Sequence, residues 1–548
     1  MASHEGSRDP SGDHGPVSAR RGARTLGVTV PLFSLRSSRD FGIGEIGDLP
    51  RFAEWARSAG VRVVQLLPSF ELARGETSPY GARTAFGLDP LAISLADVPE
   101  LDRASMGEVL SHGGEAELAA LRARPAIDYD RVRALKERAL DKAFTNFGER
   151  ELARATRRAD EFRAFQRASS AWSDDLALYV ALREEHREHG WSTWPAALRD
   201  RDPAALAAAR ERLARPILAH QYRQFVANEQ WHASRRALAA LGVELMGDLP
   251  FIVGGESADV WSHKRAFRSD VSLGAPPDAY SEEGQDWGLP AYDLERMEQD
   301  GFGWLRGRTA RARQLYDRFR IDHVVGYFRQ WVKPKSGLVH PDGRTAAQRG
   351  HFDIASERLQ HARGERVLRA MSEAAGAGAI IAEDLGVIPR WVRSTLTDLG
   401  IPGYKIIPWE REGLVYRDPR AFPWLSVASY STHDTAPIGM WWNEMTPEER
   451  AGLATIFGVP ATTKGDELWA AQMRTLFASG ASLALVLLQE ILGEDVRINT
   501  PGVVGPENWS YRMSTSVERL ADDSRVAGRV HRVRDLLAET RRLGPGEG

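Results

Sequence analysis

The 548-residue sequence contains no cysteine, which excludes disulfides, thiolate catalysis and zinc–thiolate centres together. Net charge is also nearly absent: 72 Lys and Arg against 75 Asp and Glu leave −3 with histidine neutral. That balance gives no electrostatic case for a nucleic-acid partner. No apolar run approaches the roughly 20 residues that a bilayer span requires, so no membrane partner is expected. The first 24 residues are rich in Ser, Gly, Arg and Asp and lack an apolar core. They read as a disordered tail and not as a signal peptide, which makes a cytoplasmic location the expectation. No metal or cofactor is expected.

What the chain does contain is a series of short apolar runs. Strand candidates are Gly27 to Phe33, Val61 to Pro68, Val243 to Pro250, the runs ending at Asp322 and Glu383, Tyr404 to Ile407, the run ending at Asp434, and Ser482 to Gln489. Helical patterns such as Leu49 to Ala59 and Glu357 to Ala374 separate most of them, which predicts a parallel sheet. Eight such strands close a (β/α)8 TIM barrel, an α/β fold that accommodates a chain of this length once insertions are counted. One interval, Pro68 to Val243, is far longer than a crossover helix needs. Its Ala, Arg, Leu and Glu-rich pattern predicts a helical subdomain over about 100–240, inserted between strands 2 and 3 on the catalytic face. The expected organisation is a tail over 1–24 and a catalytic barrel over 25–548.

Three of the runs deliver a carboxylate at their carboxyl ends: Arg320-Ile321-Asp322-His323, Ala382-Glu383-Asp384-Leu385-Gly386 and Thr432-His433-Asp434. In a parallel barrel the loops at those ends converge on one face, where chemistry is placed. One Asp after an apolar run is ordinarily a helix cap. Three such ends, two with an adjacent histidine, point instead to carboxylate chemistry of the kind that cleaves glycosidic bonds with retention. Arg320 and Asp322 share a strand face, which sets a guanidinium beside one carboxylate. Glu383 follows a fully apolar run, where desolvation is expected to raise its pKa.

Two other patterns do not survive inspection. Gly42-Ile43-Gly44-Glu45-Ile46-Gly47 matches a dinucleotide fingerprint, but Glu45 and Asp48 put negative charge where a pyrophosphate would sit. Asp48 is expected to cap the following helix. His186-Arg187-Glu188-His189 lacks the i, i+4 spacing of paired zinc ligands and reads as the solvated face of a charged helix.

The ordered set Pro31-Leu32-Phe33-Ser34-Leu35-Arg36, Ser78-Pro79-Tyr80, Gly247-Asp248-Leu249-Pro250, Ser257-Ala258-Asp259-Val260-Trp261, Pro276-Pro277-Asp278, Gly284-Gln285-Asp286-Trp287-Gly288, the three carboxylate groups above and Asn499-Thr500-Pro501-Gly502 resembles the amylomaltases. These are the 4-α-glucanotransferases of glycoside hydrolase family 77. The resemblance implies Asp322 as nucleophile, Glu383 as acid/base and Asp434 as transition-state stabiliser. It implies transfer of an α-1,4-glucan segment to the 4-hydroxyl of another sugar. Arg320, His323, His433, Tyr80, Ser78, Asp278, Tyr280, Gln285, Trp287, Asp259 and Asn499 are then the expected sugar-binding residues, and Pro276 to Tyr292 the expected lid. The chain departs from the family pattern at Ala279, at Val324-Val325 and at Leu289. The expected partners are an α-1,4-glucan donor and a sugar acceptor, for a monomer or small homo-oligomer. Two other readings stay open: an α-glucan hydrolase on the same scaffold and a non-catalytic glucan-binding protein.

Overall fold

Short runs of branched and small residues, apolar on both faces, form strands that only a sheet covered on both sides can bury. In the computed structural model, which describes residues 23–277, 284–335 and 350–543, eight of them close a barrel. They are β1 (Thr25–Thr29), β2 (Val61–Gln65), β3 (Glu244–Leu249), β4 (Arg318–Ile321), β5 (Ile380–Ala382), β6 (Gly403–Ile406), β7 (Ser426–Ser429) and β8 (Leu483–Leu487). Neighbours in sequence are neighbours in space, every pair is parallel, and β8 returns to β1. All eight expected strands are present. The first begins two residues before the expected run, and the seventh ends at Ser429, before Tyr430 and Ser431.

Alternation along the strands sorts side chains into two sets. Val63, Met246, Ile381, Tyr404, Ile406, Val427, Leu483 and Leu485 form a cluster of their own that fills the barrel. Val64, Leu245, Phe319, Ile380, Ala428 and Val486 belong to the larger core shared with the outer helices. At Gly27 a Cβ would stand 2.6 Å from Leu485 Cδ2, so the interior is filled closely enough that a side chain at this strand position would have to displace Leu485. Above the apolar layer lies a polar one. Thr29 Oγ1 donates to Gln65 Oε1 at 2.8 Å, and Asp248 is paired in register with Arg320.

Helices connect the strands as the patterns predict, among them Leu49–Ser58 and Glu357–Ala375. Between β2 and β3 the chain forms the long helices Tyr129–Phe147, Arg157–Glu185 and Ala214–Ala240 together with shorter ones. Lys136 of the first is buried and pairs with buried Glu45 of the barrel. That pairing ties the insert to the Gly42–Gly47 turn. Asp48 does not cap the helix with its side chain: its Oδ2 accepts the Glu45 N–H at 2.8 Å instead. A 3-10 turn over Ile46–Asp48 precedes the helix and draws the carboxylate back. The His186–His189 run likewise lies past the end of its helix, with Arg187 and Glu188 left-handed and the His186 ring stacked on Trp194 at 5.6 Å.

One element differs from expectation. Gln285–Tyr292, expected as part of a lid loop, is a strand paired antiparallel with Phe267–Ala275, which also pairs with Trp331–Pro334. Gly288 and Pro290 make the segment read as a loop in sequence, but it is an edge strand, and an edge tolerates proline. The expected tail over 1–24 lies almost wholly outside the described residues. Among those residues no helix is long and apolar enough to cross a membrane.

Candidate active site

The register of the barrel assembles the site. Ile321 pairs with Ala382, so Asp322 and Glu383 leave neighbouring strands side by side. The backbone closes behind them: Glu383 N–H donates to Ile321 O at 3.0 Å, and Val324 N–H donates to Glu383 O at 3.1 Å. His323 sits in the left-handed region at φ 46°, a conformation that costs a non-glycine residue about 1–3 kcal/mol. In that conformation its N–H donates to Glu383 Oε2 at 2.9 Å, while Leu385 N–H donates to Oε1 at 2.8 Å.

Arg320 organises the neighbouring charges. Its Nη1 donates to both oxygens of fully buried Asp248 at 2.8 Å, and its Nη2 donates to Asp322 Oδ1 at 2.5 Å. Although burial opposes its charge, Asp248 and Asp322 hold the guanidinium well above its usual pKa. Tyr80 donates its hydroxyl proton to Asp248 Oδ2 at 2.7 Å and stands 2.8 Å from His433 Nε2. That nitrogen lies 3.2 Å from Asp434 Oδ2, and Asn499 Nδ2 donates to Asp434 Oδ1 at 2.7 Å. One continuous polar network therefore runs from β3 through β4 to the loop after β7.

Electrostatics separates the three carboxylates. Burial pushes Glu383 up to about 7, the Asp322 charge adds to the shift, and Arg320 with the two backbone N–H groups opposes it. Asp434 behaves in the opposite way. Burial alone would raise it, but the His433 charge and hydrogen bond, with Asn499, hold it well below the usual carboxylate range. His433 is raised because Asp434 outweighs its burial, whereas burial lowers His323. The Asp322 and Asp434 side chains keep 26 % and 43 % of their surface exposed, so both remain open to a ligand while Arg320 and Asp248 are buried beneath them.

The other expected residues divide. The Trp287 ring packs edge-on against the His323 ring at 5.1 Å, and its Nε1 donates to Gln285 Oε1 at 2.9 Å, which brings the antiparallel sheet to the site. Ser78 acts through the chain, since its Oγ accepts from Tyr80 N–H at 3.3 Å and shapes the turn that presents the tyrosine. Asp259 lies inside the protein. It is 4 % exposed, and its two oxygens are taken by Ala85 N–H at 2.9 Å and Trp304 Nε1 at 3.0 Å. These bonds brace the protein interior. Asp278 and Tyr280 lie outside the described residues. Of the departures from the family pattern, Val324 is buried while Val325 and Leu289 pack against the core; Ala279 lies outside the described residues.

Three residues of the site carried no assigned role in the sequence. Asp248 anchors both Arg320 and Tyr80. Trp509 packs on Tyr80 at 5.8 Å and His433 at 6.1 Å. Phe251 packs edge-on against His323 at 5.4 Å. Asp248 did leave a signal, a carboxylate near the end of a strand, within Gly247-Asp248-Leu249-Pro250.

Comparison with known proteins identifies the family. A family model described as 4-alpha-glucanotransferase matches residues 30–518, and the chain belongs to that family, glycoside hydrolase family 77. The 4-alpha-glucanotransferase of Chlamydia pneumoniae is 30% identical over 525 residues, covering 92% of this chain and 94% of the relative. That of Thermus thermophilus is 30% identical over 495 residues, covering 86% and 92%. The chloroplastic/amyloplastic enzyme of Arabidopsis thaliana is 31% identical over 542 residues, covering 96% and 87%. The amylomaltase of Streptococcus agalactiae, solved in complex with acarbose, shares the fold with a TM-score of 0.80 at 24% identity, over 95% of this chain and all of that one. The chain is accordingly an enzyme that transfers segments of α-1,4-glucan.

Proposed function

We propose that the transfer runs by retaining double displacement, with Asp322 as nucleophile, Glu383 as acid/base and Asp434 as stabiliser of the distorted sugar. The observation that carries this reading is the register of β4 and β5. Side-by-side residues on adjacent strands are separated by about 4.8 Å of backbone, which lets the two carboxyl groups approach to the roughly 5–5.5 Å that retention needs.

In the first step an Asp322 oxygen bonds to the anomeric carbon. The glycosidic bond breaks, and Glu383 gives its proton to the departing 4-oxygen. In the second step the acceptor's 4-hydroxyl loses its proton to Glu383 as its oxygen bonds to the same carbon and releases Asp322. Esterified Asp322 no longer carries the charge that raises Glu383, so the same residue is favoured in its protonated form for the first step and in its ionised form for the second. Asp434, held charged by His433 and Asn499, faces the positive charge that develops on the ring. Arg320, His323, His433 and Tyr80 are placed to position that sugar. Gln285 and Trp287 bring a partly exposed aromatic and an amide to the rim of the site, where a sugar face and its hydroxyls would be held and water displaced.

Residues 100–240 act in this reading as a helical subdomain beside the cleft. The relatives above are named as transferases, which favours transfer over hydrolysis. Incubation with maltotriose tests it: the expected product is a ladder of longer maltooligosaccharides, and release of shorter sugars alone would establish hydrolysis.

A further inference from the structure

Beyond β8 the chain from Ile498 to Trp509 closes into a loop, with the Trp509 N–H donating to Ile498 O at 2.9 Å. Asn508 ties the loop internally: its Nδ2 donates to Val503 O at 2.8 Å and its Oδ1 accepts the Thr500 N–H at 3.0 Å. Both ends of the loop reach the site. Asn499 holds Asp434 at one end. At the other, the Trp509 ring packs on Tyr80 and His433, which are themselves stacked at 5.2 Å.

Trp509 is left-handed, at φ 60°, and 8 % exposed. For a bulky side chain that backbone is an outlier, and it persists only where the surroundings over-determine it. Both backbone polar groups of Trp509 are engaged. Its N–H bonds within the loop, but its carbonyl is held from outside, by the Tyr129 hydroxyl donating at 2.6 Å. Tyr129 is the first residue of the helix Tyr129–Phe147 in the insert. Attachment of the insert does not depend on this bond. Ile127 N–H donates to Ser510 O at 3.0 Å, Ala126 bridges to Tyr511, and Lys136 pairs with Glu45. The Tyr129 hydroxyl is instead aimed at a strained residue whose side chain touches the site.

We propose that Tyr129 is a positioning residue for the reaction: by holding the Trp509 carbonyl it fixes the indole against Tyr80 and His433, and through His433 it sets Asp434. The helical insert thereby acts on the site from outside the barrel. The effect on rate rests on the role proposed above for Asp434; the link from Tyr129 to His433 does not.

Tyr129→Phe keeps the ring that packs on the core and removes only the hydroxyl. Its kcat for maltotriose should fall roughly three- to tenfold, the range that one hydrogen bond supplies, with KM little changed. A double-mutant cycle separates a route through His433 from general loosening. In a His433→Asn background, Tyr129→Phe should cost much less than it does in the native protein. An unchanged kcat, or equal fold-losses in the two backgrounds, would overturn the proposal. The crystal structure of Tyr129→Phe reads the link without reference to rate: the Trp509 ring should be displaced from Tyr80 and His433, and an unmoved ring would overturn the proposal. Failure of the role given to Asp434 would show differently, as near-native activity of Asp434→Asn with the Trp509 ring still displaced in Tyr129→Phe.

Discussion

The N–H of His323 donates to the side chain of Glu383 at 2.9 Å from a left-handed backbone, so the residue after one expected catalytic carboxylate fixes the position of the other. Two backbone donors hold Glu383 while its surroundings push it towards protonation. A group held in place yet titrating near neutrality is what a residue needs if it must both give and take a proton.

The pH dependence follows. With Glu383 raised to about 7 by burial and by Asp322, the glycosylation step should lose rate as pH rises through that value. The folded state holds this proton more tightly than the unfolded chain, so its contribution to stability is also lost between the ordinary glutamate pKa and about 7 as pH rises. Glu383→Gln should lower turnover of maltooligosaccharides by several orders of magnitude and flatten the alkaline limb. A pH–rate profile for an activated donor, measured on both proteins, checks this.

Asp322→Asn removes both the nucleophile and the charge that helps to raise Glu383. Turnover should fall by several orders of magnitude, and Glu383 should titrate below about 7, since Arg320 and the two N–H donors then act with less opposition. A carboxyl-carbon NMR titration of the variant reads the shift directly. An unmoved titration would mean that the two groups are electrostatically independent.

The barrel was legible because parallel strands covered on both faces are continuous apolar runs, and these runs mark all eight. The three carboxylates were legible because each follows such a run. The antiparallel sheet was not, because Gly288 and Pro290 disguise an edge strand that pairs with Phe267–Ala275. The buried setting of Asp259 was not legible because its partners, Ala85 and Trp304, come from distant segments that no local pattern connects to it. Trp509 was missed for the same reason, since its contact with Tyr80 exists only after the C-terminal loop folds over the barrel.

Asp248 tests the buried network. Its carboxylate is fully buried and accepts from Arg320 and Tyr80. Removing one member of a buried ion pair costs about 3–5 kcal/mol, so Asp248→Ala should lower denaturant-derived stability by roughly that amount. Asp248→Asn, which keeps an acceptor, should cost less but still reduce kcat by loosening Arg320 against Asp322. Equal stability of all three proteins would contradict the network.

Asn499 tests how Asp434 is held. Its amide is one of the groups that keep Asp434 below the usual range. A carboxylate with a depressed pKa contributes stability above its unfolded pKa that is lost as pH falls. Asn499→Ala should therefore move the acid limb of the pH–rate profile upward and reduce kcat more than KM.

The most direct test of the central claim traps the intermediate. In Glu383→Gln, α-glucosyl fluoride supplies a leaving group that needs little acid help, while the absent base slows the second step. Mass spectrometry of the quenched, digested protein should then find one glucosyl unit on the peptide containing Asp322, and on Asp322 itself. A glucosyl unit on another carboxylate, or no adduct with a product of inverted configuration, would contradict the account.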